Sequence, residues 1–223
     1  GPRAWQVRVL LRIRKHIALC KDRGVDSVPG ILKIARVAGR GIGKSAVVCW
    51  MMYWMHCTRL GSTVVFTANT EQQMKTRLWA EFGKWHALAV NGHWFERTSL
   101  KLEPCEWFAG LVKEELGIDK GYWYVQGQTW SEETPGAFAG LHNALGFMLV
   151  FEEAADIPAC IWDVSEGFFT EKDCPDRYWF VISNGRRNQG RFFECFHRNR
   201  DDWDGEAISG LDVPDGDQAV YQS

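Results

Sequence analysis

Apolar positions along the chain recur with two periods, one helical and one of alternating strand type, and the two trade places from end to end. Residues 4–20 (AWQVRVLLRIRKHIALC) set Trp5, Val9, Ile13 and Ile17 on one face and Arg and Lys on the other, which predicts an amphipathic helix. A loop rich in Gly, Asp and Pro (21–30) ends it, and ILKIARV (31–37) then alternates like a strand and runs straight into a cluster of glycines. From Ser45 to His56 nearly every residue is apolar, the pattern of a helix buried on all sides. After Gly61-Ser62, TVVFTAN (63–69) is a β-branched strand. Residues 70–90 carry Met74, Leu78, Phe82 and Trp85 at helical spacing, a stripe that belongs to the core.

Farther on, 94–103 (WFERTSLKLE) alternates and is expected to pair antiparallel with 121–130 (GYWYVQGQTW). FMLVF (147–151) is a short, wholly apolar strand that ends in two acids. A helix at 158–168, the strand YWFVIS (178–183) and a helix at 190–199 complete the series. Strands alternating with helices predict an α/β domain with a mostly parallel central sheet flanked by helices on both faces. No internal repeat or low-complexity segment interrupts it.

Composition narrows the function classes. The 223 residues are 46% apolar, 24% charged and include twelve tryptophans, enough for one well-packed domain and unlike a disordered chain. With 26 basic against 28 acidic residues the formal charge is −2, which argues against a protein that coats nucleic acid and leaves room for one that touches it through a local patch. The seven cysteines (20, 49, 57, 105, 160, 174 and 195) show no C-x-x-C pair and no metal-ligand spacing with histidine, so reduced, buried thiols of a cytosolic protein are expected. No apolar run approaches eighteen residues and no leader peptide is evident; a soluble protein without membrane contact is expected.

The chemistry concentrates in residues 38–45, AGRGIGKS. Ala38-x-x-x-x-Gly43-Lys44-Ser45 fits the P-loop pattern, and it sits between a predicted strand and a predicted helix, the context that motif requires. Small residues let Ala38, Gly39, Arg40, Gly41, Ile42 and Gly43 wrap a phosphate with inward-pointing N–H groups, and the following helix adds its positive end. Lys44 would reach the β- and γ-phosphates of ATP and the Ser45 hydroxyl would ligate Mg²⁺. A dinucleotide fold does not fit, because Ala46 stands where the third glycine of G-x-G-x-x-G would fall.

A second element is FMLVFEEA (147–154), a buried strand delivering acids to the site edge. Glu152 would hold magnesium, and Glu153 would orient and deprotonate the attacking water. Arg40, inside the loop, would reach the γ-phosphate in the transition state, or else form a surface ion pair. Ser183-Asn184-Gly185 at the end of the next strand is either a γ-phosphate sensor or a plain turn, and Arg186, Arg187 and Arg191 add a small basic patch. The histidines show no ligand spacing, and no Ser-His-Asp arrangement is readable.

Taken in order, these segments resemble the large terminase subunits of tailed bacteriophages and prophages, over almost the whole chain. Trp5-Gln6 resembles the family's upstream glutamine motif, AGRGIGKSAVVCW its phosphate loop, and TANTEQQMKTRLWAEFGKWH the segment after the second strand. GAFAGLHNALGFMLVFEEAADIPACIWD resembles the stretch through the acidic strand, where the family usually has Asp at the position of Glu152. SNGRRNQGRFFECF is similar to the coupling motif, with Asn184 as the coupling residue.

The resemblance implies a RecA-like P-loop NTPase fold of the ASCE type, with Gln6 reading adenine, Glu153 as catalytic acid, and ATP and Mg²⁺ as ligands. It implies a helix at 1–30 that serves the adenine, a core at 31–200, and the start of a linker at 201–223. It further implies a motor that drives double-stranded DNA into a procapsid as a homo-oligomeric (by analogy pentameric) ring on the portal. The small terminase subunit would be a partner, and the host cytoplasm the location. The family's C-terminal nuclease is not expected in this chain; Asp212, Asp215 and Asp217 read as a loop of acids. DNA-contacting Lys and Arg are expected around 97–101 and 186–191. Three alternatives stay open: a helicase-like RecA ATPase, a nucleotide switch that scarcely hydrolyses, and a small-molecule kinase.

Overall fold

In a computed structural model, the structure describes residues 1–22, 30–171, 174 and 176–210. The loop expected at 21–30 falls mostly outside the described residues, as do Asp212, Asp215 and Asp217. Eight strands form one sheet in the order β3-β4-β5-β2-β6-β7-β1-β8. They are β1 (Leu32–Ala38), β2 (Thr63–Thr67), β3 (Phe95–Arg97), β4 (Lys101–Pro104), β5 (Tyr124–Gly127), β6 (Phe147–Glu152), β7 (Arg177–Ser183) and β8 (Asp204–Ile208). The six strands from β5 to β8 in that order are mutually parallel, and near one edge β4 runs antiparallel to both of its neighbours, β5 and β3.

Alternation along the central strands divides the core in two. On β6, Met148 and Val150 enter one cluster while Phe147, Leu149 and Phe151 enter the other; on β7, Tyr178, Phe180 and Ile182 oppose Trp179 and Val181. The first face is covered by α1 (Ala4–Asp22), α2 (Lys44–Thr58), the helical stretch at 71–88 and α5 (Glu106–Leu116). The second is covered by α6 (Ala159–Ser165) and α7 (Arg191–Glu194). Burial of both faces explains why β6 and β7 read as unbroken apolar runs.

Three expectations change in detail, and one helix is new. The 70–90 helix is built as α3 (Glu71–Gln73), a π-helical turn (Met74–Leu78) and α4 (Trp79–Leu88), with the apolar stripe of Met74, Leu78 and Phe82 kept in the core. The segment 94–103 is not one strand: it turns back at Thr98, whose N–H donates to the Lys101 carbonyl, and β4 alone pairs with β5. The helix expected at 190–199 is helical only over α7, with turns after it. Helix α5 lies between these elements, in a stretch to which the sequence pattern assigned no element.

His56 is a cost the core carries. It is fully buried against Phe95 (ring centroids 4.6 Å) and Trp123 (5.7 Å), and neither ring nitrogen has a hydrogen-bond partner. Burial, helped by the nearby His86, lowers its pKa from 6.5 to about 3. The folded state therefore holds it neutral while the unfolded chain takes up a proton below pH 6.5, so its share of stability is lost as pH falls from there toward 3. The loss is about 1.4 kcal/mol per pH unit within that window. Chemical denaturation at pH 7 and pH 5 is expected to show a drop of about 2 kcal/mol, and a His56→Phe variant a smaller one.

Candidate active site

Parallel register brings the predicted residues to one edge of the sheet. Across the central strands Arg36 is level with Ile182, and Ile182 with Glu152. Just past that level, β1 ends at Ala38, β7 at Ser183 and β6 at Glu152, so the glycine loop, Asn184 and Glu153 all emerge together. One strand, β7, stands between the glycine-loop strand and the acidic strand. The crevice beyond the carboxyl ends of such strands is where α/β folds bind ligands.

A cleft of about 710 Å³ opens there. Of the residues expected from sequence, Arg40, Gly41, Gly43, Lys44, Ser45, Glu152, Glu153 and Asn184 line it. Ala38, Gly39, Ile42 and Gln6 do not: Ala38 and Ile42 are buried behind the loop, and Gly39 offers its carbonyl to Lys44.

The N-terminal end of α1 braces the loop from outside the cleft. The Arg3 guanidinium donates to the Gly41 carbonyl (3.0 Å), the Trp5 indole to the Ile42 carbonyl (3.1 Å) and the Gln6 amide to the Gly43 carbonyl (2.9 Å). The other end of the Gln6 amide accepts from the Arg3 backbone N–H (2.8 Å), and the side chain is buried. Both amide groups of Gln6 are thus engaged within the fold.

Gly43 shows why that position needs glycine. Its φ is 83°, and a Cβ there would stand 2.7 Å from the Gln6 Nε2. Gly43→Ala would strain the backbone and expel the Gln6 amide from its bond. It is expected to cost about 1–3 kcal/mol, read as a fall in melting temperature of several degrees.

Lys44 is held by three acceptors: the Gly39 carbonyl (2.6 Å), the Asn184 Oδ1 (2.7 Å) and the Ala38 carbonyl (3.2 Å). Burial lowers its pKa, while Glu152 and Glu153 pull it back up. The contact with Asn184 ties the end of β7 to the loop after β1. Beside it, the Ser45 hydroxyl donates to the Glu152 carboxylate (2.8 Å). Glu152 is 8% exposed, and burial raises its pKa against the opposing effect of the Ser45 hydrogen bond. A hydroxyl and a buried carboxylate in contact form an all-oxygen donor pair that suits a hard divalent cation such as Mg²⁺.

Glu153 has a backbone no other non-glycine residue shares among the described residues: φ 55°, ψ 39°, the left-handed region. That conformation is disfavoured for a side-chain-bearing residue and is characteristic of functional positions. It turns the chain at the end of β6, so that Glu152 and Glu153 both line the cleft instead of facing opposite sides of a continuing strand.

Three residues that the sequence reading did not single out, Arg77, Asn69 and Asp156, surround Glu153, and Arg187 of the basic patch joins them through Asp156. Arg77 pairs with its carboxylate at 2.9 Å; Asn69 donates to it at 3.5 Å and to Asp156 at 3.3 Å; Arg187 pairs with Asp156 at 2.8 Å. Asn69 follows β2, which neighbours β6 in the parallel sheet, and that placement was available from the strand pattern. Arg77 lies in the π-helical turn, and nothing in the apolar spacing marks it.

Of the two basic segments named for DNA, 186–191 adjoins the cleft through Arg186. At 97–101, by contrast, Arg97 packs over the Trp79 ring and donates to the Trp79 carbonyl, and Lys101 pairs with Glu103. No helix among the described residues is long and apolar enough to cross a membrane.

No protein-family model and no curated protein matches the chain in sequence. Solved structures do match in fold. A point mutant of the ATPase domain of the Thermus phage P74-26 large terminase superposes with a TM-score of 0.54 at 19% identity, over 81% of this chain and 77% of that one. The large terminase of a thermophilic bacteriophage, solved in complex with ADP, gives 0.64 at 14% identity over 98% of this chain and 48% of that one. The large terminase of bacteriophage HK97 gives 0.51 at 14% identity over 91% and 37%. The chain thus spans about half or less of the two large terminases. Its mixed α/β sheet and the cleft at its edge make it, by fold, a RecA-like P-loop domain similar to the large terminase ATPase domains of several phages.

Proposed function

We propose that this chain is the ATP-hydrolysing motor domain of a phage large terminase, driving double-stranded DNA into a procapsid. The observation that carries this reading is the convergence of Lys44, the Ser45–Glu152 pair and the backbone-strained Glu153 on one cleft at the ends of β1 and β6. Its volume accommodates a nucleoside triphosphate. An ADP complex of a fold neighbour supports nucleotide as the ligand class.

On this reading the Gly41–Gly43 backbone cradles the phosphates and the Lys44 ammonium exchanges its carbonyl partners for phosphate oxygens. Ser45 and Glu152 would hold Mg²⁺, whose charge offsets that developing on the phosphate oxygens. Glu153 orients the attacking water and takes its proton, and Arg40 and Arg186 supply further positive charge along the cleft. Asn184, bonded to Lys44, relays the state of the site to the segment carrying Arg186, Arg187 and Arg191. A homo-oligomeric ring on the portal, the small terminase subunit and a site of action in the host cytoplasm follow from the same reading.

Steady-state ATP hydrolysis by the chain, with magnesium and with or without double-stranded DNA, tests it. Turnover stimulated by DNA supports the motor. Turnover that ignores DNA removes the translocase part, and tight nucleotide binding without turnover favours a nucleotide switch.

A further inference from the structure

The first turn of α1 packs against the glycine loop in a way that gives Gln6 two fixed partners. Arg3 precedes the helix and its carbonyl accepts the first intrahelical bond, from the Val7 N–H (3.0 Å). Arg3 is therefore the N-cap and Gln6 the third helical residue. A glutamine there can reach back to the N-cap N–H, as the Gln6 Oε1 does at 2.8 Å. Its Nε2 turns the other way and donates to the Gly43 carbonyl (2.9 Å). A backbone N–H only donates and a carbonyl only accepts, so one orientation of the amide satisfies both.

This bond is one of three. The consecutive carbonyls of Gly41, Ile42 and Gly43 accept in turn from the side chains of Arg3, Trp5 and Gln6. Across a trans peptide the N–H points opposite to the C=O. Carbonyls drawn toward α1 thus leave the N–H groups of Ile42, Gly43 and Lys44 directed away from it. The cleft is lined by Gly41, Gly43 and Lys44 and by no residue of α1. The Gly43 carbonyl also accepts from the Val47 N–H (3.4 Å), so the Gln6 bond falls where the loop becomes α2, at the end of the helix that favours anions. The brace is itself anchored: Trp5, Val9 and Ile13 are buried in the core, and Arg8 and Arg12 bind Glu206 and Asp204 of β8 (2.7 and 2.8 Å).

A base in the cleft does not meet this amide. Gln6 is 3% exposed and stands behind the loop, so its second hydrogen and second lone pair are closed off. Freeing either end for a purine would strip the Gly43 carbonyl or the Arg3 N–H of its partner, and an unpaired buried polar group is costly.

We infer, resting on the nucleotide reading proposed above, that Gln6 is a positioning residue that sets the loop for a triphosphate chain and reads no base. Its effect on binding is then the same for any ligand that carries that chain.

Calorimetric titration of the chain with ATP, GTP and inorganic tripolyphosphate, each with magnesium, tests the assignment. Gln6→Met, which keeps the volume and removes both bonds, is expected to weaken all three by one common factor, about three- to tenfold. Trp5→Phe, which removes only the donor to the Ile42 carbonyl, is expected to act alike. It decides the matter should Gln6→Met fail to fold: if Trp5→Phe binds all three as the wild type does, the brace does not set the loop. A loss confined to ATP in Gln6→Met would overturn the inference, because the amide would then read adenine. Unchanged affinity for all three would overturn it too, whatever the melting temperature, by making the amide a prop of the fold alone. So would a wild type that binds ATP but not tripolyphosphate. If the wild type binds none of the three, the nucleotide reading falls as well. If it binds them and Lys44→Ala weakens them while Gln6→Met does not, this inference falls alone.

Discussion

Glu153→Gln is expected to cut ATP turnover by about 10²–10⁴-fold, the range lost when a positioned general base is removed, with nucleotide affinity nearly unchanged. Glutamine keeps the size of the side chain and its bond to Asn69, so what disappears is the capacity to accept a proton and the charge facing Arg77. The Arg77 pair is exposed, and losing it shifts stability by no more than about 1 kcal/mol. A fall in kcat with nucleotide affinity preserved is the signature of an interaction made only in the transition state. Parallel losses in affinity and rate would instead mean that Glu153 holds the site's shape.

The left-handed backbone at Glu153 supplies an independent check. Glycine adopts φ 55° without steric cost, so Glu153→Gly is expected to gain stability, up to about 1 kcal/mol, while turnover is lost. A substitution that stabilises the fold and removes its activity marks a position where strain is retained for function. If Glu153→Gly lowers the melting temperature, the ion pair with Arg77 outweighs the backbone strain, and the conformation serves packing.

How much of this could be read from the residues depends on the range of the interaction involved. Apolar runs such as FMLVF and YWFVIS report burial on both faces and so specify parallel central strands, as β6 and β7 prove to be. The glycine loop is equally legible, because its function needs small residues and a strand–helix context that sequence displays directly. Loss of legibility begins where a contact depends on geometry instead of periodicity. Arg77 reaches Glu153 from a π-helical turn, a deviation from regular helix that leaves the spacing of Met74, Leu78 and Phe82 readable as helix.

The turn at Thr98 was hidden for a related reason: strand alternation continues through WFERTSLKLE with no Gly or Pro to mark the reversal. Gln6 shows a different limit. The ligand-reading role comes to it from the resemblance alone, while its packing shows one end of the amide on the Gly43 carbonyl of the loop and the other on the Arg3 backbone N–H. The proposed ring and DNA contacts would lie between molecules, and so have no counterpart in one chain's packing.

Lys44→Ala is the second large effect, and unlike Glu153→Gln it is expected to damage binding and turnover together. Charge-assisted hydrogen bonds to phosphate are worth about 1.5–3 kcal/mol, so nucleotide affinity should fall roughly 10–100-fold. Loss of a donor to the transferring phosphoryl should remove a further ~10²–10³ in kcat. The site adds a third consequence. Burial raises the pKa of Glu152, and the Lys44 charge is among the influences that lower it. Without Lys44 that carboxyl rises further and stays protonated to higher pH, where it is a poor ligand for a cation. The acid limb of the residual pH–rate profile should therefore move upward. The profile of Lys44→Ala measured beside the wild type decides the point: an unmoved acid limb would mean that Glu152 does not titrate in the reaction, and that Ser45 holds the metal without it.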